Sequence, residues 1–331
     1  MSQLPFEQKH RKVFIKHQAT TDPKFGCLPT QRSIKQLVDY GIVVIDKPAG
    51  PSSHQVGSYV KQILGRSKAG HAGTLDPQVT GVLPVAVGRA TRIVQSLLPA
   101  GKEYVAIMHV HQPVTQEKIS KACQSFVGNI QQLPPVKSAV KRQLRQRSIY
   151  YLNILDIRDQ DVLFIVGVQA GTYIRKLIHD IGQTLGVGAH MAELRRTKAG
   201  PFDESYLVTL QDVHDAWVLY QQQGREDLLR TCLLPVEAGV RHLAKVWVMD
   251  TTVDSICHGS NLKIPGVARY EDFSQGEHMA IMTLKDELVA VGITVIDAAT
   301  CMKQQKGVLI KLDQVFMLPG TYPRMDRPKE E

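Results

Sequence analysis

Between two apolar segments the chain carries a glycine-rich loop that runs into an apolar strand, Gly70-His71-Ala72-Gly73-Thr74-Leu75-Asp76-Pro77-Gln78-Val79-Thr80-Gly81-Val82-Leu83-Pro84-Val85. The loop places one carboxylate, Asp76, ahead of a wholly apolar run at 82–87, which is typical of a strand covered on both faces. Catalytic groups concentrate on loops that a rigid scaffold holds. An Asp before Pro also suits a plain turn, so the spacing alone leaves both roles open for Asp76.

The regions around this loop predict a mixture of strands and helices. A strand at 42–45 stops at Asp46-Lys47-Pro48, and Ser52 or Ser53 can cap the helix that follows. Further strands are predicted at 104–111, 149–157 and 162–169, and further helices at 115–126, 172–185 and 210–221. The order lacks a strict βαβ rhythm and a glycine fingerprint for a dinucleotide, so the predicted class is α+β, with a mixed or antiparallel sheet.

The pattern changes after Leu234-Pro235, where helix signals thin out and short strands with tight turns follow. Strands at 246–249, 279–283, 287–296 and 308–312 predict a small all-β barrel or sandwich. We therefore expect two cores joined by few contacts. Residues 324–331 are charged, and we expect a frayed tail there.

The composition favours a soluble protein with a polyanionic partner. The chain has 331 residues, a formal net charge of +9, 43% hydrophobic and 21% charged residues, which excludes wholesale disorder and suits about two domains. Five single cysteines indicate a reducing compartment and no structural metal. No apolar run approaches the roughly 18 residues of a spanning helix, and no signal core is present. We expect a cytoplasmic location.

Two segments hold much of the positive charge. Residues 1–40 carry seven Lys or Arg against three Asp or Glu, and either drape over a domain or form a solvated tail. A second stretch, without acidic residues, contains Lys137, Lys141, Arg142, Arg145 and Arg147. Such loops contact phosphates in proteins that bind nucleic acid, a solvated loop being the alternative.

The loop around Asp76 resembles the catalytic signature of the TruB-type pseudouridine synthases. Four more motifs of that family follow the family order: Ile45-Asp46-Lys47-Pro48 with Ser52-Ser53-His54, Gly101-Lys102-Glu103-Tyr104-Val105, Gly171-Thr172-Tyr173-Ile174-Arg175, and Glu193-Leu194-Arg195-Arg196. Such enzymes break the bond between ribose and the uracil nitrogen and rejoin the base through carbon 5. The resemblance implies no cofactor and no metal.

Within the family, the chain resembles the archaeal guide-RNA branch, relatives of dyskerin that form the enzyme of box H/ACA particles. The likeness lies in the segments 134–142 and 186–191 and in a C-terminal module similar to PUA domains, with Ile264-Pro265-Gly266-Val267 and Met282-Thr283-Leu284-Lys285-Asp286-Glu287. Val136-Lys137 departs mildly from the usual apolar-Arg pair. The implied partners are a box H/ACA guide RNA, substrate rRNA or tRNA, and small H/ACA core proteins, with no membrane.

The resemblance also implies domain limits: a basic extension at 1–40 that packs on the PUA domain, a catalytic domain at 41–240, a PUA domain at 243–323 and the tail at 324–331. It makes Asp76 the catalytic carboxylate, either attacking the sugar or acting on it as a base. Arg175 is its cationic partner, with a phosphate contact as the alternative. A dry pocket could protonate Asp76.

The implied pocket has two further members. Tyr104 stacks on the flipped uracil and Leu194 closes the other side, with core packing as the alternative for both. His71 contacts the target RNA or makes a hydrogen bond within the loop. Lys47 fixes the strand end below the loop and is also among the RNA-contact candidates, as are Gly266 and Lys285 in the PUA module.

Three other functions compete with a guided enzyme. A stand-alone tRNA pseudouridine synthase shares the core motifs, although the basic loop and the large C-terminal module argue against it. A non-catalytic RNA-binding scaffold is disfavoured because Asp76, Tyr104 and Arg175 are intact. A glycosidase normally needs two opposed carboxylates, and no second acid is indicated.

Overall fold

The loop that carries Asp76 is built into a ten-stranded mixed sheet, and a second, seven-stranded sheet forms the C-terminal module. The structure, a computed structural model, describes residues 3–134 and 143–324. The predicted α+β class is confirmed. The predicted strands at 42–45 and 82–87 pair antiparallel, with Ile42 opposite Ala86 and Ile45 opposite Leu83. The second strand is buried from Gly81 onward, which confirms that both of its faces are covered.

The strands of the described residues are numbered in chain order. They are β1 (Val13–Ile15), β2 (Gly41–Lys47), β3 (Ala69–His71), β4 (Thr80–Val87), β5 (Lys102–Val110), β6 (Gly128–Gln132), β7 (Arg145–Arg158), β8 (Asp161–Val168), β9 (Ala189–Ala199), β10 (Phe202–Asp203), β11 (Leu234–Pro235), β12 (Ala244–Val248), β13 (Leu262–Lys263), β14 (Val267–Glu271), β15 (His278–Met282), β16 (Leu288–Thr294) and β17 (Val308–Val315).

The α-helices of the same residues are α1 (Ile34–Asp39), α2 (Ser53–Ile63), α3 (Val94–Leu97), α4 (Gln116–Gln124), α5 (Ile174–Leu185), α6 (Leu210–Gln223), α7 (Asp227–Cys232), α8 (Asp250–Cys257) and α9 (Ala298–Lys303). The predicted cap is confirmed at Ser52, whose hydroxyl accepts a hydrogen bond from the Gln55 amide while the Gln55 side chain accepts one from the Ser52 amide. This capping box satisfies two amides that the first turn leaves without helical partners.

The larger sheet has the strand order β11-β2-β4-β9-β5-β8-β7-β6, with β3 on β4 and β10 on β9. Strands β4 and β9 run parallel, and β5 lies antiparallel between β9 and β8. One face of the β5–β8 region packs against α4 and α5 in an apolar cluster that includes Tyr104, Met108, Phe164, Leu177 and Ile178. This packing aims the start of α5 at the loop between β3 and β4.

The smaller sheet has the order β1-β14-β12-β15-β16-β17-β13. Its first strand comes from the N-terminal extension, with Phe14 opposite Tyr270. A charge of the extension adds to this contact, since Arg11 forms an ion pair with Glu277. Arg32 forms a two-pronged ion pair at 2.7 Å with Glu237, in the segment that precedes the C-terminal module. The extension therefore packs along the C-terminal module, and the domain limits stay a prediction.

The expectation of few contacts between the two cores is wrong. One apolar cluster contains residues of both sheets; we call it the junction cluster, and its buried members include Tyr40, Ile42, Val82, Phe202, Val236, Val240, Trp247, Ala280, Met282, Leu288 and Phe316. Apolar residues in a strand pattern indicate burial but do not identify the partner surface. The two sheets thus share a core.

Two elements near the functional motifs were not predicted. Helix α1 lies inside the presumed extension, and its Ile34, Leu37 and Val38 pack into the core of the larger sheet. Strand β9 carries too many charged residues to show a strand pattern, and it buries one of them, Arg196. Residues 325–331 of the predicted tail lie outside the described residues. Within the described ranges, no helix is long and apolar enough to cross a bilayer.

The junction cluster predicts that the two sheets unfold together. Leu288 is fully buried in this cluster, so Leu288→Ala should lower the free energy of unfolding by about 2–5 kcal/mol. Calorimetry should show one transition that moves as a whole. Leu144→Ala is the matched control, because Leu144 is 69% exposed. Two separate transitions, of which Leu288→Ala moves only one, would contradict a shared core.

Candidate active site

Asp76 and Arg175 meet although they lie far apart in the sequence. Asp76 lies in the loop between β3 and β4, and Arg175 lies in the first turn of α5, where its guanidinium donates to the Asp76 carboxylate. Both side chains are about half exposed, at 51% and 46%. The described residues therefore do not enclose Asp76 in a dry pocket, and an exposed ion pair adds little stability. The ion pair acts chiefly by positioning the carboxylate.

The backbone around Asp76 is held from below by one lysine. The ammonium of Lys47 donates to the carbonyl oxygens of Pro48, Pro77 and Val79 at 2.8, 2.8 and 2.9 Å. Its side chain is fully buried and all three protons are used. The prediction that Lys47 contacts RNA is corrected here, because neither the charge nor a donor is accessible. The structural role predicted for it is the one observed.

A buried hydroxyl clamps the residue before Asp76. Ser53 Oγ accepts a hydrogen bond from the Leu75 amide at 2.8 Å and lies 3.1 Å from the Leu75 carbonyl oxygen, to which it donates. Ser53 is the first residue of α2, so the loop is tied to the start of a helix. No sequence signal indicated this contact, because a serine at the start of a helix suggests only a cap.

The position of Arg175 depends on two hydrogen bonds that fix the start of its helix. Gln132, at the end of β6, accepts a hydrogen bond from the Tyr173 amide at 3.0 Å and donates to the Tyr173 carbonyl at 3.2 Å. Tyr173 is the residue before α5, so this side chain fixes the point at which the helix begins. The side-chain amide of Gln132 thus connects the helix turn that carries Arg175 to the edge strand β6. Sequence reasoning missed this contact.

Tyr104 and Leu194 lie on the neighbouring strands β5 and β9, beside the loop. Tyr104 is 9% exposed and packs in one apolar cluster with Leu75 and Val79. Leu194 is half-buried against the same cluster, opposite Ala106. The structure thus brings both residues to the loop that carries Asp76. Their stacking and closing roles stay predictions, because the same positions also serve the core.

Two buried cations form the floor beneath the loop, and the sequence predicted neither as a site residue. Arg196 is 1% exposed and donates to the Val82 and Gly73 carbonyls at 2.7 and 3.2 Å. Lys102 is 5% exposed and donates to the carbonyls of Leu97, Leu98 and Ala100. Both belong to motifs quoted above, but a sequence does not reveal that a charged side chain points inward.

Burial lowers the pKa values of the cations beneath the loop. It lowers the pKa of Arg196, an effect that Tyr104 partly offsets. Burial, together with the charge of Arg196, lowers the pKa of Lys102 to about 7 and also lowers that of Lys47. The lowered pKa values reflect chiefly the burial of these cations, with the charge of Arg196 as a second cause for both lysines. Perturbed pKa values are common at functional sites.

His71 ends β3 at the start of the loop. Its Nε2 lies 3.3 Å from Thr74 Oγ1, which is the hydrogen bond within the loop that the sequence left as an alternative. Burial lowers the pKa of His71, with smaller effects from His54 and Arg196. The RNA contact of His71 stays a prediction, since the ring is half-buried at the rim.

The basic loop is described only in part. Lys137, Lys141 and Arg142 lie outside the described residues. Arg145 and Arg147 lie at the start of β7. The Arg147 guanidinium lies beside Gly171, in the loop before α5, and donates to the Gln146 carbonyl at 2.7 Å. These two arginines therefore lie on the Arg175 side of the site, and their RNA contacts stay predictions.

The two residues predicted in the C-terminal module differ in their surroundings. Lys285 donates to the carbonyls of Asp22 and Phe25, so it anchors the extension, and its RNA contact stays a prediction. Gly266 lines a groove of about 790 Å³ with, among others, His258, Lys263 and Arg324. A Cβ on Gly266 would lie 2.6 Å from the Thr252 side chain, so glycine permits this close approach.

Among the described residues, no group of three or more His, Cys, Asp or Glu side chains could hold a metal ion. The chemistry that the described side chains offer is that of one open carboxylate with a cationic partner, beside a buried aromatic ring and above buried positive charge. Such an arrangement suits attack or proton removal at an electrophilic sugar carbon.

Comparison with known proteins shows four family matches along the chain. These are the DKCLD (NUC011) domain at residues 1–57, the TruB family pseudouridylate synthase N-terminal domain at 61–174, the tRNA pseudouridylate synthase B C-terminal domain at 175–241, and the PUA domain at 244–316. Together they cover both sheets.

Relatives match over nearly the whole chain. A probable tRNA pseudouridine synthase B of Methanopyrus kandleri is 51% identical over 97% of this chain and 95% of its own length. The structure of a Cbf5-Nop10-Gar1 complex contains a chain 49% identical, with a TM-score of 0.93 over 97% of this chain and 98% of that one. A chain in an H/ACA RNP bound to a substrate RNA containing 2'-deoxyuridine is 46% identical, with a TM-score of 0.92 over 97% and 99%.

The buried Lys102 predicts a pH dependence of stability. Its pKa is about 7 in the folded chain and near the ordinary lysine value of about 10.4 in the unfolded chain. Between these values the unfolded state binds more protons, so this group makes the free energy of unfolding rise with pH from about 7 to about 10. Lys102→Met removes that contribution and should flatten the rise.

Chemical denaturation at about pH 7 and about pH 9.5 measures the effect. The comparison uses the change between the two pH values, because Lys102→Met also leaves three carbonyls without their donor. Lys118→Met, at an exposed position on α4, is the matched control. If Lys102→Met and the control show the same pH dependence, Lys102 does not titrate in this range.

Proposed function

Because the chain belongs to the TruB family of pseudouridine synthases, we propose that Asp76 is the carboxylate that acts on the ribose of a flipped-out uridine in RNA. The observation that carries this proposal is the Asp76–Arg175 pair, open to solvent at the meeting point of two distant motifs. An accessible carboxylate beside a buried aromatic ring suits this reaction. The chain is thus an RNA pseudouridine synthase.

The reaction needs no group beyond those that this site holds. The bond between C1′ and N1 breaks, and its electron pair leaves with the uracil, which becomes anionic. Asp76 either bonds to C1′, and this bond breaks when carbon 5 of the rotated base attacks C1′, or it takes a proton from the sugar and returns it when the base adds. Carbon 5 then loses its proton and N1 gains one, so the product is an isomer of the substrate. The packing of Tyr104 and Leu194 beside the loop that carries Asp76 supports their roles on either side of the base. Stacking on a ring would replace the stacking that the base loses on flipping.

We propose that the RNA substrate is brought by a guide RNA of box H/ACA type, with small core proteins as partners. The two solved relatives named above come from assemblies whose titles name Nop10 and Gar1 or an H/ACA RNP. The groove at Gly266, with Lys263 and Arg324, supports this proposal because it offers cations and polar donors to an RNA end.

A second candidate is a stand-alone enzyme for tRNA, and the name of the Methanopyrus kandleri relative favours it. The N-terminal extension and the C-terminal module favour the guided enzyme. Strand β1 of the extension pairs with β14 of the module, so the two form one continuous surface that a guide RNA could contact. We also propose a cytoplasmic location, which the five free cysteines support.

The proposed role of Asp76 predicts that Asp76→Asn abolishes product formation. The amide keeps the shape of the side chain but supplies neither a charge nor a nucleophile, so RNA affinity should stay within a few fold. Release of tritium from RNA labelled at uracil carbon 5 measures the reaction, and filter binding measures the affinity. The matched control is Asp159→Asn, outside the site on the turn between β7 and β8. Turnover by a clean Asp76→Asn protein would contradict the proposal.

A further inference from the structure

The guanidinium of Arg196 connects three parts of the active site. It donates to the Gly73 carbonyl in the loop that carries Asp76 and to the Val82 carbonyl in β4. It is also a hydrogen-bond partner of the Tyr104 side chain. Tyr104 and Arg196 face each other across β5 and β9 in register, which places their side chains on the same face of the sheet.

The charge of Arg196 is not neutralised. Its side chain is 1% exposed, and in the described part of the chain none of its partners is a carboxylate. Its charged neighbours are cations, since Arg196 lowers the pKa of Lys47, Lys102 and His71. A buried ion without a counter-ion is destabilising, and a neutral side chain could serve as a mere packing element at lower cost. The position therefore points to a use of the charge.

We propose that Arg196 is a positioning residue for pseudouridine formation, which fixes the Tyr104 hydroxyl at the pocket floor and, through Gly73, the loop that carries Asp76. This inference rests on the proposed function of Asp76 and Tyr104. A guanidinium can only donate, so the Tyr104 oxygen accepts from Arg196 and the ring is held at its polar end, which leaves its face free to stack on the uracil.

The hold that Arg196 has on Tyr104 and on the loop matters most when the base is detached. At that stage the uracil has lost its bond to the ribose, and the Tyr104 ring stacked on it helps to keep it within reach of C1′ while it rotates. One buried guanidinium that holds both the ring and the loop carrying Asp76 keeps this geometry through the rotation. Positioning of the reacting groups lowers the barrier of the chemical step. Arg196 should therefore affect the rate of the chemical step more than RNA affinity.

A double-mutant cycle tests this coupling under single-turnover conditions. Arg196→Lys and Tyr104→Phe should each lower the rate constant about ten- to hundredfold, as for a lost hydrogen bond to a charged group. RNA affinity should stay within about twofold, because ground-state binding is unaffected. The double variant should be no slower than the slower single variant, since both changes remove one interaction.

The control variant is Lys47→Met, which removes another buried cation beneath the same loop but one whose contacts are with Pro48, Pro77 and Val79. The fold-reductions in rate constant caused by Lys47→Met and by Tyr104→Phe should multiply in the double variant, because the two residues act independently. If the fold-reductions of Arg196→Lys and Tyr104→Phe also multiply, the inference is overturned. If the Arg196→Lys protein shows no thermal unfolding transition, it is not folded, and the rate constant of Tyr104→Phe alone tests the inference. An unchanged rate constant in Tyr104→Phe would then overturn it.

These outcomes differ from a failure of the proposed function. If Asp76→Asn is inactive while Tyr104→Phe keeps the full rate, the inference on Arg196 fails and the role of Asp76 stands. If Asp76→Asn is active, the role of Asp76 fails first, whatever the cycle shows. A loss of RNA affinity in Arg196→Lys with an unchanged rate constant would assign Arg196 to binding and also overturn the inference.

Discussion

The active site depends on buried cations that hold backbone carbonyls. The loop that carries Asp76 is irregular, so its peptide groups lack the partners that a helix or strand would supply. Lys47 and Arg196 supply them from below, by donating to carbonyls before and after Asp76. Removing either donor would leave buried carbonyls unsatisfied and release the carboxylate from its place.

This constraint explains why the site combines an exposed pair with a charged floor. Asp76 and Arg175 are open to solvent and can meet RNA, whereas Arg196 and Lys102 are hidden and act through what they hold. In the proposed mechanism the exposed groups meet the substrate while the buried groups keep their geometry, because residues that contact a substrate need others that hold them in place.

The sequence predicts the local elements around the loop that carries Asp76, but it does not predict which charged side chains are buried or which surfaces pack together. The strands β2 and β4 and the cap of α2 follow from local patterns and were predicted, as was the partnership of Asp76 with Arg175 from the family resemblance. Strand β9 was missed because it is rich in charged residues and buries one of them, Arg196, whereas a hydrophobicity pattern scores arginine as exposed. The junction cluster was missed because an apolar strand does not reveal its partner. Lys47 shows the same limit, since its charge suggested RNA and its burial excludes it.

Selection by an RNA guide of the uridine on which Asp76 acts is central to this mechanism. The most direct test reconstitutes the protein with small H/ACA core proteins and a guide RNA whose pairing sequence is redesigned for a new target. The position of pseudouridine is then mapped on both the old and the new RNA. We expect the modification to move to the uridine that the guide leaves unpaired, and to disappear in the Asp76→Asn protein. Modification of one fixed uridine, whatever the guide, would contradict the proposed mechanism.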